Sequence, residues 1–106
     1  MDFMEKMAIT KLRKHLDQRK MKDYYNMIRV ISGPVRFKIL IMLSRSPKGL
    51  SVTDIARTLN GSLSRISHQM RILKRSKLVA AQRDSRSMIY SLENPRIYEY
   101  LEVPRV

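Results

Sequence analysis

Residues 51–92 read SVTDIARTLNGSLSRISHQMRILKRSKLVAAQRDSRSMIYSL, and this stretch decides the fold. Val52, Ile55, Ala56 and Leu59 recur at the spacing of one helix face. Ser51 stands three residues before Asp54. That is capping-box spacing, with Asp in place of the usual Glu, so a helix is predicted to start at Ser51. Asn60-Gly61 stops it, because both residues tolerate the positive φ of a sharp turn. Ser62 is then a candidate N-cap for a second helix. There Leu63, Ile66, Met70 and Leu73 form a narrow apolar stripe. Off the stripe lie Ser64, Arg65, Ser67, His68, Gln69, Arg71, Lys74 and Arg75, a face with no acid at all. A merely solvated face ordinarily mixes signs. Two helices joined by a short Gly-containing turn, the second basic and polar, suit a major-groove reader.

Beyond that helix, Leu78–Gln82 and Ser87–Leu92 read as two strands of a hairpin. Arg83-Asp84-Ser85-Arg86 is predicted to join them as a basic tip. Two arginines flanking a single acid can lie along a phosphate backbone or enter a narrow minor groove. The plainer alternative is a hairpin loop that is simply soluble.

The segment from Leu59 to Lys74 resembles the recognition segment of the ArsR/SmtB repressors, whose pattern runs roughly S-x-S-x-V-S-H-H-L-x-x-L. Ser62, Ser64, Ser67, His68 and Leu73 match by identity, and Ile66 and Met70 by type. Leu78-Val79 followed by Ile89-Tyr90-Ser91-Leu92 resembles the family's wing. Gly33-Pro34-Val35-Arg36-Phe37-Lys38-Ile39-Leu40 resembles its D-P-T-R-x-x-I-L segment. The resemblance spans about Tyr24 to Leu101. It implies an α+β, mainly α fold: a winged helix-turn-helix with a two-stranded wing, dimerising through N- and C-terminal helices. Residues 1–106 then form one domain. Its parts are dimerisation helices over 1–31, the helix-turn-helix over 51–75, the wing over 78–92 and a last helix over 95–101. Ser64, Arg65, Ser67, His68, Gln69 and Arg71 would meet base edges, where Ser and Gln can donate or accept and Arg65 can pair with guanine. Ser62, Lys74, Arg75, Arg83 and Arg86 would meet the backbone. One departure stands at Ser76-Lys77, where the family usually places Gly second for a left-handed cap. Lys77 either adopts that geometry at some cost or the helix ends differently.

Composition agrees with a polyanion partner. The 106 residues hold 22 Lys and Arg against 9 Asp and Glu, a net charge of +13. Charge is densest over 61–92 and reverses sign after residue 92. With no Cys, disulfides, thiolate metal sites and thiol redox sensing are excluded within this sequence. No apolar run is long enough to span a bilayer, and Met1–Lys22 lacks a signal-peptide core. A cytoplasmic location is expected.

The flanks complete the organisation. Asp2 to about Lys22 reads as a helix in which Met4, Ala8, Leu12 and Leu16 recur every four residues. Such a basic amphipathic helix can lie on a membrane or lay its stripe on a partner. Glu5 and Asp17 break the basic faces and the stripe has no Trp, which favours a homodimer. The resemblance adds that the family's N-terminal helix packs at the two-fold axis, with Tyr98 and Leu101 expected at the same seam. Asp23–Ile31 reads as a second helix with Tyr24, Ile28 and Ile31 on one side. Gly33 can end it and Pro34 open the next. In that next helix Val35, Ile39, Leu40 and Leu43 face the core, while Arg36 and Lys38 project elsewhere. Asn94-Pro95 caps a short last helix to about Leu101, with Ile97 and Leu101 inward.

Metal and catalytic chemistry is sparse. The family's thiolate sensors carry C-V-C-D-L where this chain has Ser51-Val52-Thr53-Asp54-Ile55, and hydroxyls do not hold soft metals. The zinc and nickel sensors place His and carboxylates on the last helix, which here has Glu99 and Glu102 but no His. His15 is a lone His on a polar face. No metal and no cofactor is expected. Ser64 and His68 share a helix face, yet nothing orients the His as a base, and no oxyanion hole or Gly-rich phosphate loop is apparent. An enzyme is not expected. The sequence therefore points to a sequence-specific binder of an inverted-repeat operator in double-stranded DNA, most simply a homodimeric repressor. The alternative is a non-specific architectural protein that coats DNA, which the charge alone would support.

Overall fold

The structure is a computed structural model that describes residues 1–93 and residue 97. Over residues 1–93 five helices and three short strands run in the order α1 (Phe3–Asp17), α2 (Arg19–Ile31), α3 (Pro34–Ser44), β1 (Leu50–Ser51), α4 (Val52–Leu59), α5 (Leu63–Arg75), β2 (Val79–Asp84) and β3 (Ser87–Leu92). Tyr98 and Leu101 lie outside the described residues. Ile97 is helical and buried.

The helix-turn-helix follows from its caps. The Ser51 hydroxyl accepts the Asp54 N–H at 3.1 Å, and α4 begins at the next residue. Asn60 takes the left-handed conformation at φ 51, and the Gly61 N–H closes the helix on the Ala56 carbonyl at 2.9 Å. Gly61 itself is not left-handed. The turn needs one positive φ, and Asn60 supplies it. The Ser62 hydroxyl then accepts the Arg65 N–H and opens α5.

At the far end of α5 the chain does what glycine would do, without glycine. Lys77 sits at φ 61, and the Leu78 N–H reaches back to the Leu73 carbonyl at 3.0 Å. A side chain in this region costs about 1 kcal/mol or more. Lys77→Gly is therefore expected to stabilise the fold by about 1 kcal/mol, read as a higher urea midpoint at unchanged slope.

The core lies where α3, α4, α5 and the sheet meet. Ile39, Leu40 and Leu43 of α3 pack with Ile55 and Ala56 of α4 and with Ile66, Met70 and Leu73 of α5. Leu78, Val79 and Ile97 close it, and every one of these is essentially out of solvent. Two expected core members are not inside. Val35 and Leu63 are 39% and 55% exposed. Each stands in the first turn of its helix, ahead of the level at which the helices converge.

The N-terminal boundary also differs from expectation. One helix over about 2–22 is predicted, but the chain breaks at Gln18, which is extended at ψ 140. The next member of the four-residue stripe would be Lys20, so a continuous helix would place a charge on the apolar line. In α2 the side turned to the core carries Met27, Val30 and Ile31. Tyr24 and Ile28, expected beside Ile31, are 43% and 44% exposed. Gly33 does not end α2 by a left-handed turn. Its φ is −63, and it instead precedes Pro34 as the N-cap of α3.

The sheet has three strands rather than two, in the order β1-β3-β2, all antiparallel. Leu50 pairs with Tyr90 and Ser51 with Ile89. A two-residue strand is too short to show a period of two, which hid it. Gly49 brings β1 in at φ 82, and a Cβ there would lie 2.6 Å from Ile89 Cγ2 and 2.7 Å from the Tyr90 carbonyl oxygen. The hairpin tip is tighter than the predicted four residues. Asp84 pairs with Ser87, so the loop is Ser85-Arg86 alone, with Ser85 at φ 55. Arg83 is a strand residue paired with Met88. Among the described residues no helix is long and apolar enough to cross a membrane.

Candidate nucleic-acid interface

α5 buries Ile66, Met70 and Leu73. At about 100° per residue, the opposite side of the helix carries Ser64, His68, Arg71 and Arg75. All four are exposed. They form an outward ridge that starts beside the capped N-terminus and grows more basic toward the C-terminus. Ser67 and Lys74 flank it on one side. Arg65 and Gln69 flank it on the other. Ser67 and Gln69 are half-buried, while Arg65 and Lys74 are exposed. The residues expected to read bases thus do share one helix, but they fall into a central ridge and two flanks. Ser62 is exposed, and its oxygen is already used by the Arg65 N–H. Its hydroxyl proton can still donate to an anion.

A groove of about 630 Å³ runs along the Arg65 and Gln69 flank, between the helix-turn-helix turn and the start of α3. Val35, Leu59, Gly61, Arg65 and Gln69 line it. The exposure of Val35 is explained here: it forms the apolar floor of this groove instead of joining the core.

Sequence reasoning missed Arg36, which it turned elsewhere. The Arg36 guanidinium donates from Nε to the Val30 carbonyl at 2.7 Å and from Nη1 to Gln69 Oε1 at 2.9 Å. It lies across Gly33, where a Cβ would stand only 2.9 Å from Nε and closer still to Cζ and Nη2. A glycine three residues before an arginine was the one available signal. The sequence could not say which way the guanidinium turns.

The wing projects Arg83 and Arg86, both exposed, with Asp84 between them. Arg83 lies in a strand and Arg86 in the turn, so the two are held by different parts of the hairpin. Among the described residues no three His, Asp or Glu side chains gather where a metal could be held.

No residue of α1 is buried. Met4, Leu12 and Leu16 are 74%, 62% and 65% exposed, and Ala8 is exposed too. The stripe predicted from the sequence is therefore present and faces solvent. It continues into an apolar hollow formed by Leu16, Met21, Tyr24, Tyr25 and Ile28.

Known proteins share this arrangement. A helix-turn-helix domain family matches residues 30–81. The HTH-type transcriptional regulator NmtR of Mycobacterium tuberculosis is 32% identical over 87 residues, which is 82% of this chain and 71% of that protein. A transcriptional repressor SmtB homolog of Synechocystis is 33% identical over 90 residues, 83% of this chain and 64% of that one. Among solved structures, the homodimeric winged helix-turn-helix DNA-binding domain Mb0332 of Mycobacterium bovis superposes with a TM-score of 0.69 at 20% identity. It covers 76% of this chain, and 73% of its own length is matched.

Proposed function

This chain belongs to the ArsR/SmtB family of helix-turn-helix transcriptional regulators, and from that premise we propose that it binds an inverted-repeat operator as a homodimer and represses transcription by occupying it. Sequence-specific binding to DNA comes with the family. The observation that carries the rest is the acid-free ridge Ser64–His68–Arg71–Arg75, exposed on a helix whose other side is locked into the core. A helix docked in the major groove presents such a ridge to base edges, its N-terminal residues foremost. Arg65, Ser67 and Gln69 reach the same groove from the flanks. Lys74, Arg75, Arg83 and Arg86 neutralise phosphates on either side, and the Ser62 hydroxyl donates to one. The exposed stripe Met4, Ala8, Leu12 and Leu16 supports the dimer, since apolar side chains in such a row are covered in a stable protein.

Regulation without a thiolate metal site fits a sequence with no Cys. Neither catalysis nor a membrane surface has a part in this reading. The proposed setting is the cytoplasm, with duplex DNA as the partner.

Selection of bound duplexes from a random library, at two salt concentrations, tests it. The expected result is an enriched inverted repeat that persists at the higher salt, with half-sites one helical turn or a multiple of it apart. Arg65→Ala is expected to relax preference at one position per half-site by about 1–3 kcal/mol, and Arg86→Ala to weaken all sequences alike. Selection that enriches nothing, with binding that collapses as salt rises, would identify the architectural alternative that the charge of +13 favours.

A further inference from the structure

We propose that Arg36 is a specificity-determining positioning residue: it holds the Gln69 side chain with its oxygen turned toward α3, so that Gln69 presents its N–H donors to a base. The inference rests on α5 being the base reader and adds what one of its residues can and cannot recognise.

The geometry is over-determined. Arg36 is half-buried at the N-terminal end of α3. Its Nε is fixed on the Val30 carbonyl in the last turn of α2 at 2.7 Å. Its planar guanidinium lies against the bare backbone of Gly33. With the plane so set, Nη1 is aimed at Gln69 Oε1 at 2.9 Å, thirty-three residues away in sequence. A guanidinium has donors and no acceptor. The carboxamide atom facing it must therefore be the oxygen, and the amide nitrogen must face the other way. Among the described residues that nitrogen has no hydrogen-bond partner. Gln69 also lines the groove shared with Ser64, Arg65 and His68.

The consequence follows from base chemistry. A free glutamine recognises adenine by accepting from N6 and donating to N7 at once. Here the guanidinium takes one lone pair of the oxygen and holds that atom on the α3 side, turned away from a base in the groove. What is turned outward is a donor, which suits the acceptors of guanine O6 and N7 or of thymine O4. A residue type usually associated with adenine is thereby turned against it. The discrimination is set by a side chain that never touches DNA. Charge assistance makes the Arg36–Gln69 bond stronger than a neutral one, so the approach of a base does not readily displace it.

The test is the same selection of duplexes, run on the full chain and on Gln69→Met, Arg36→Met, Gly33→Ala and the double variant Arg36→Met with Gln69→Met. Gln69→Met marks the position that Gln69 reads, as the one in each half-site where preference vanishes. In the wild type that position should hold guanine or thymine. In Arg36→Met the freed carboxamide should shift it toward adenine by about tenfold, with the other positions unchanged. Gly33→Ala keeps the charge and every donor but puts a methyl where the guanidinium lies. The atoms it meets are the far end of a flexible side chain, so the backbone stays and the same shift should appear. In the Gln69→Met background, Arg36→Met should change nothing further at that position.

A merely structural Arg36 would lower affinity for all sequences equally and leave the selected bases alone, and that result would overturn the proposal. So would an Arg36→Met shift that survives in the Gln69→Met background, or a Gln69→Met variant that selects the wild-type repeat unchanged. The last would leave the wider reading of α5 intact. If the wild type itself selects no repeat, that wider reading fails and this inference with it.

Discussion

Raising the salt from about 50 to about 200 mM is expected to weaken binding to duplex DNA by about four orders of magnitude. The size comes from counting cations. Lys74, Arg75, Arg83 and Arg86 are all exposed, none is buried in an internal role, and each occurs twice in a dimer. About eight neutralised phosphates give a slope near −7 in a plot of log affinity against log salt. Fluorescence anisotropy of a labelled operator, at five or so salt concentrations, measures the slope directly. Replacing Arg83 and Arg86 together by Ala should make it shallower by about 4. A wild-type slope of only about −3 would mean that either the wing or the end of α5 stays off the backbone. The magnitude matters for function as well. A regulator with so large an ionic contribution is expected to scan non-specific DNA efficiently, and on the proposed docking the ridge of α5 is what stops it.

The second large effect concerns the frame. Leu73→Ala is expected to cost about 2–5 kcal/mol, because Leu73 is fully buried and touches no solvent that could fill the space it leaves. A small domain has only about 5–15 kcal/mol in total, so the variant would be partly unfolded at modest urea. Leu63→Ala is the matched control. It removes the same atoms from the same helix, but Leu63 is 55% exposed and its loss should stay within about 0.5 kcal/mol. Urea melts at fixed protomer concentration distinguish the two. Equal losses would mean that Leu63 is covered in solution, and the first turn of α5 would then need a partner not yet described.

Those two leucines also show where the sequence is legible and where it is not. Periodicity puts Leu63, Ile66, Met70 and Leu73 on one stripe. Only geometry distinguishes the end of a stripe that overhangs the core from the part that enters it. Local chemistry is read well. Ser51, Asn60 and Ser62 each act within four residues of themselves, and all three cap as their residue types require. Long-range pairings are read badly. β1 is two residues long and exists only because β3 lies beside it. The Arg36–Gln69 bond joins positions that no local rule connects. The winged helix-turn-helix was legible through resemblance as much as through periodicity. The acid-free side of α5 was legible as a shared face, although its division into a ridge and two flanks was not.

Ser51 has two attachments. Its backbone belongs to β1 and pairs with Ile89 of the wing, while its hydroxyl caps α4. The hairpin and the helix-turn-helix are thus fastened at this residue, as well as through the shared core, and behave as one tool with two points. Neither point can slide to suit a different sequence. On the proposed docking, the spacing along the duplex between the bases met by α5 and the phosphates met by Arg86 is therefore a property of the protein, like the gap of a calliper, and every good half-site is expected to have that length.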